Sequence, residues 1–283
     1  MYLLCSIVCS TLIFVIFKLL QAYNIKTLQV IVVNYFFACI TGLITYGGNI
    51  TVNNTIKSPW FYGAVFLGFL FISIFFVMAK TSQQNGVSVA SVASKMSVII
   101  PIIFGIYVYH ESTGLQKIIG ILLALTAVYL TSIKSASKID FKKNLLFPII
   151  LFFGSGIIDT SIKYLETTYV PENGIPLFSA TIFCIAAIIG VCTLVIKKEL
   201  LITPRAFVSG IILGIVNFGS IFFLLKALDH ELFESSTLFT INHVGVVMLS
   251  TFTGLLFFKE NLSKTNWIGI VIAVISIILV TLT

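Results

Sequence analysis

Apolar residues run along this chain in long blocks separated by short polar clusters. Blocks at about 2–22, 27–47, 60–80, 86–109, 114–133, 145–165, 175–197, 204–227, 233–258 and 263–283 each approach the roughly 20 apolar residues that a helix needs to cross a bilayer. A strand of a membrane barrel would instead alternate over about ten residues. The pattern predicts an all-α integral membrane protein with ten transmembrane helices. Helices of that length take up about 200 of the 283 residues, which leaves short connections and no room for a soluble domain. Tyr2 to Phe17 lacks a basic leader and a small-residue cleavage site, so it is expected to be the first span rather than a secretory signal.

The most polar connection, Lys134 to Lys143, reads KSASKIDFKK and divides the chain almost in half. The predicted organisation is a first five-helix repeat over 1–138, a basic connecting loop at 139–144 and a second five-helix repeat over 145–283. Sliding the chain by 149 positions lays Glu111 on Glu260, Gly120 on Gly269 and Ala124 on Ala273 without a gap. Gly105 meets Gly254 and Ser91 meets Thr240 in the same frame. Neighbouring frames align Ser10 with Ser155, Lys18 with Lys163, Gly68 with Gly214 and Lys80 with Lys226. Five spans per half force the second half to enter the membrane from the opposite side. That is the 5+5 inverted repeat of secondary transporters, whose site lies at the midplane between the repeats.

A fourth span with Pro101 and Gly105, closed by His110-Glu111 and followed by Gln116 and Gly120, resembles the drug/metabolite transporter superfamily in its EamA-like branch. The second half keeps Glu260 and Gly269 but has Ser250 where the family's proline would stand. His110 and Lys259 occupy positions where the family commonly has Gly. The resemblance covers the whole chain and implies a carrier, without specifying its cargo.

Composition agrees with the block pattern: 58% of residues are hydrophobic, 10% are charged and the mean hydropathy is +1.11. Soluble domains are about 25% charged, so a soluble globular protein, a disordered chain and a nucleic-acid binder are all excluded. The net charge of +7 does not indicate a polyanion partner, because the charges are sorted by side. Odd-numbered connections and adjacent span ends hold twelve basic residues against four on the even-numbered ones. The positive-inside rule then puts the odd connections in the cytoplasm and both termini outside, whereas family members more often keep both termini inside. The expected location is the plasma (inner) membrane, multi-pass.

Charges inside apolar spans are costly and mark functional positions. Lys95 lies about nine residues into span four, roughly 14 Å at 1.5 Å per residue, and Asp159 is also near mid-span. A lysine at the bilayer centre costs at least about 2.5–3.5 kcal/mol on insertion scales. Loss of its proton, pairing with Asp159, or a wet cavity facing a substrate anion would each offset that cost. Ser88, Ser91 and Lys95 share one helical face, and the repeat places Thr237, Thr240 and His243 on a related face of span nine. The candidate substrate-binding residues are therefore Lys95, His243, Asp159, Ser91, Thr240, Asn34, Tyr35 and Asn217. Interhelical hydrogen bonding is the alternative role for the hydroxyls and amides. Pro101 is expected to kink span four. Glu111 and Glu260, at span ends, are expected to pair with a lysine or a helix end. Gly120-x-x-x-Ala124, Gly269-x-x-x-Ala273 and Gly210-x-x-x-Gly214 read as packing motifs, within the chain or between chains.

Five cysteines lie in apolar blocks with no C-x-x-C and no histidine at metal spacing, so no metal or other cofactor is expected. No H-E-x-x-H and no phosphate-cradling Gly loop is present, so no enzyme is expected. The leading function is a secondary carrier for a small polar or amphiphilic metabolite, working by alternating access as an importer or an exporter. A lipid or lipid-linked sugar flippase and an intramembrane transferase are the alternatives. The expected partners are a small-molecule substrate and the lipid bilayer, with no nucleic acid, in a monomer or homodimer.

Overall fold

The computed structural model describes residues 1–48, 52–108, 114–132, 141–171, 174–228 and 235–281. The described elements are helices: α1 (Tyr2–Ala22), α2 (Thr27–Tyr46), α3 (Val52–Lys57), α4 (Phe61–Gln84), α5 (Val87–Met96), α6 (Ile99–Val108), α7 (Leu115–Ser132), α8 (Phe141–Tyr169), α9 (Ile175–Ile196), α10 (Pro204–Leu228), α11 (Ser235–Phe258) and α12 (Lys264–Thr281). Among the described residues eight helical stretches are long and apolar enough to cross a bilayer, and Ile118–Thr131 and Lys264–Leu279 are apolar but shorter. The chain is a multi-pass integral membrane protein.

Its surface is inverted relative to that of a soluble protein. Phe69, Ile44, Leu122 and Phe257 are exposed, whereas Ser6, Gln29, Asn34, Thr81, Ser88 and Ser91 are buried. In lipid, apolar faces gain nothing by hiding, so packing and interhelical hydrogen bonds hold the helices together. The Ser6 hydroxyl donates to the Ser220 carbonyl at 2.8 Å, and Gln29 Nε2 donates to the Glu199 and Leu201 carbonyls, both at 3.0 Å.

Most helix contacts join the first half of the chain to the second. α7 packs on α12, α2 on α9, and α5 on α11. The remaining large contacts come in matched sets. α1 packs on α10 as α8 packs on α4, α2 on α10 as α9 on α4, and α1 on α11 as α8 on α5. Exchanging the two halves therefore maps each of these contacts onto another.

The small-residue motifs act within the chain. Ala124 and Ala273 are fully buried in one core with Val128 and Ile277. The Ser276 hydroxyl donates to the Gly120 carbonyl at 2.7 Å, and Asn266 Nδ2 donates to the Leu130 and Thr131 carbonyls at 3.1 and 2.9 Å. The Gly210–Gly214 pair similarly meets Val33, Asn34 and Phe37 of α2.

One boundary and one extra helix stand out against the sequence reading. α8 begins at Phe141, inside the segment expected as the 139–144 loop, because lysines are good helix formers and Lys142 and Lys143 extend the helix out of the apolar block. α3 has six residues, VNNTIK, too few and too polar to register as a periodic block.

Candidate functional site

The span read as one helix from 86 to 109 is two. α5 stops at Met96, Ser97 and Val98 form a turn, and α6 starts at Ile99. The sequence supplies the cause: Pro101 has no N–H to give the Ser97 carbonyl, four residues earlier, and its ring crowds that carbonyl. The Ser97 carbonyl instead accepts the Ile100 N–H at 2.9 Å, a tighter turn. The Ser97 hydroxyl folds back onto the Ser94 carbonyl at 2.6 Å. The expected kink is thus a break just ahead of the proline. Discontinuous helices at mid-membrane are a common way for transporters to build a site.

Lys95 stands in the last turn of α5, beside this break, and is half-buried. Asp159 of α8 lies in its electrostatic range, with the Ser97 hydroxyl also next to the carboxylate. His243 of α11, half-buried, lies in the range of Lys95 as well. Lys95, beside the break, thus has ionisable groups of two other spans in its electrostatic range. Lys95 and Asp159 do not form a closed bridge: among the described residues the ion pair within 4 Å is Lys26–Glu199 at 3.2 Å. Asp159 is itself exposed, which in a bilayer requires water or a partner group.

The other candidates are placed differently. Ser91 is fully buried; its hydroxyl accepts a short hydrogen bond from Ser250 of α11 and donates to the Ser88 carbonyl at 2.9 Å. The Asn34 side-chain oxygen accepts from Asn217 Nδ2 at 3.3 Å, joining α2 to α10, and the buried Tyr35 hydroxyl donates to the Phe71 carbonyl at 2.9 Å. These four hold helices together in this conformation. The side chain of Thr240, and His110 and Glu111 altogether, lie outside the described residues. Asn242, buried beside His243, has an oxygen with no partner among the described residues, as has the side-chain nitrogen of Asn34. A native fold leaves few such atoms, and water or a ligand commonly accounts for them.

Glu260, between α11 and α12, caps α5. Its carboxylate accepts the Val87 N–H at 2.7 Å, the Ser88 hydroxyl at 3.0 Å and the Ser88 N–H at 3.4 Å. These are first-turn amides, which have no intrahelical partner, at the positive end of the helix dipole. Two glycines make room. Gly86, at φ 109°, turns the chain into α5, and a Cβ on Gly254 would come within 2.5 Å of the carboxylate. Glu260 thus pairs with a helix end, and it belongs to the opposite half of the chain. The sequence marked its position, but not its partner 172 residues away.

Residues 1–133 and 143–282 each match the EamA-like transporter family. The chain belongs to that family. EamA-like proteins are membrane transporters of small substrates, a class without enzymatic activity. An uncharacterized protein of Haemophilus influenzae is similar to this EamA-like chain, at 31% identity over 293 residues, with 96% of this chain and 94% of that protein covered. A crystal structure of another protein shares the fold at a TM-score of 0.57 and 12% identity, covering 98% of this chain and 97% of that one.

Proposed function

We propose that this EamA-like protein is a secondary carrier for a small polar or amphiphilic metabolite, built of two inverted five-helix repeats that alternate in access. The observation that carries the reading is that Lys95, beside the break in span four, has both Asp159 and His243 in its electrostatic range. Lys95 attracts a carboxylate or phosphate on the cargo, Asp159 tunes it, and His243 faces it from the other repeat. The exchange-matched helix contacts support the repeat.

α5 is the moving part. It is a ten-residue rod with a glycine turn at one end and the Ser97–Val98 break at the other. Glu260 and Ser250 fasten it to α11 on the side of the odd-numbered, basic connections. Further along the span, α6 packs on α8. The basic side is therefore the closed side of this conformation, and transport requires the Glu260 cap to open. The charge distribution makes that side cytoplasmic.

Alternating access has a direct test at Ser94, the half-buried neighbour of Lys95 that aligns with His243 in the repeat. In a chain with its five cysteines replaced, Ser94→Cys should react with a membrane-impermeant thiol reagent applied from either face, and substrate should slow the reaction. Labelling from one face only, or from neither, would contradict the carrier mechanism.

A further inference from the structure

Two lysines from opposite halves meet at one aromatic ring on the basic side. Lys80 Nζ of α4 lies 5.5 Å from the centre of the Phe76 ring, and Lys197 Nζ, just past α9, lies 5.9 Å from it. A ring face holds an ammonium without neutralising it, and neither lysine has a carboxylate within 4 Å among the described residues. The nearby acid, Glu199, is engaged by Lys26. Lys80 also lines a cleft of about 330 Å³ with Gln21, Asn24, Lys26, Thr27 and Gln83, at the ends of α1, α2 and α4. The surface below the two lysines is apolar and exposed: Phe69 on α4, and Ile188, Val195 and Ile196 on α9, with Ile196 81% exposed. Leu201, past the end of α9, is 91% exposed.

We infer that this place binds the headgroup of an anionic phospholipid. Its phosphodiester sits between the Lys80 and Lys197 ammoniums, its polar headgroup enters the cleft beside Gln21 and Asn24, and its acyl chains lie along the exposed face of α9. Two uncompensated cations call for an anion, and the apolar surface continuing directly below them calls for a chain attached to it. A free phosphate would use the first feature only. Because Lys80 and Lys197 come from different repeats, the lipid bridges the halves on the side that Glu260 closes. The basic leaflet position fits: anionic lipid attracts lysines at the cytoplasmic surface.

The test is native mass spectrometry of the full chain released from nanodiscs of mixed phosphatidylglycerol and phosphatidylcholine. The wild type should retain phosphatidylglycerol preferentially, and the Lys80→Gln/Lys197→Gln double variant should retain it about thirtyfold less. Lys57→Gln, an exposed lysine on the other side, should behave as the wild type, and unchanged melting of all three proteins would exclude misfolding. Added inorganic phosphate or glycerophosphoglycerol should not displace the lipid. Equal retention by the double variant, or no preference over phosphatidylcholine, would overturn the inference. So would displacement by the soluble phosphates, which would make the place a free-phosphate site.

Discussion

Lys95→Met should abolish transport while leaving expression and melting temperature nearly unchanged. The side chain is replaced by an apolar one of similar length, so the packing of α5 persists while the cation beside the break is lost. The competing account is a structural ion pair with Asp159. Breaking a buried pair costs about 3–5 kcal/mol because the remaining charge is left uncompensated, so each single variant would then misfold. The geometry argues against a closed pair: Lys95 and Asp159 interact electrostatically but are not within 4 Å, and Asp159 is exposed. Transport assays on Lys95→Met, Asp159→Asn and the double variant separate the two. The carrier reading expects a folded, inactive Lys95→Met protein and no recovery in the double. Misfolded singles with recovered transport in the double would make the pair structural.

Glu260→Ala should have the second largest effect, through the state of the protein rather than its site. Removing the carboxylate strips the first turn of α5 of a charged acceptor and leaves the Val87 N–H and the Ser88 hydroxyl without it. Losing a helix cap costs about 0.5–2 kcal/mol. Only the basic-side-closed conformation bears that cost, so its population falls roughly 2- to 30-fold relative to the alternative. The expected result is slower transport and faster labelling of Ser94→Cys from the basic side. Glu260→Gln keeps an acceptor oxygen but loses the charge at the helix N-terminus, and should fall between. Identical labelling rates in all three proteins would show that the cap is static.

What the sequence revealed followed from cost. The apolar blocks were legible because backbone in lipid must satisfy its own hydrogen bonds, which selects helices; among the described residues eight helical stretches are long enough to span, and α1 and α9 fall within a residue or so of where hydropathy put them. Lys95, Asp159 and His243 stood out because ionisable groups in such blocks are expensive; Asp159 and His243 each lie in the electrostatic range of Lys95. The hydroxyl-bearing face of α5 was legible as a face but not in its role. Periodicity says that Ser88, Ser91 and Lys95 point the same way, not whether they point at a cavity or at a neighbouring helix. Ser88 and Ser91 meet Glu260 and Ser250, while Lys95, one turn on, is past that contact. Asn34 and Asn217 show the same ambiguity: an amide inside a span serves equally as helix glue. The break at Ser97 was readable only as a kink at Pro101, because the sequence does not show which neighbouring groups compensate the freed carbonyl. The capping role of Glu260 required knowing that α5 and the α11–α12 connection, far apart in the chain, are adjacent in space.

Ligand-induced stabilisation tests most directly whether Lys95 provides an anion-binding group inside the helix bundle. The purified wild type and the Lys95→Met variant would be melted against a panel of metabolites graded by charge. A ligand at 100 times its Kd stabilises the folded state by about 2.7 kcal/mol, a shift well above the noise of a melting curve. At least one carboxylate- or phosphate-bearing metabolite should raise the melting temperature of the wild type and leave Lys95→Met unmoved. A ligand that stabilises both proteins equally, or a panel in which only uncharged or cationic compounds act, would contradict the claim.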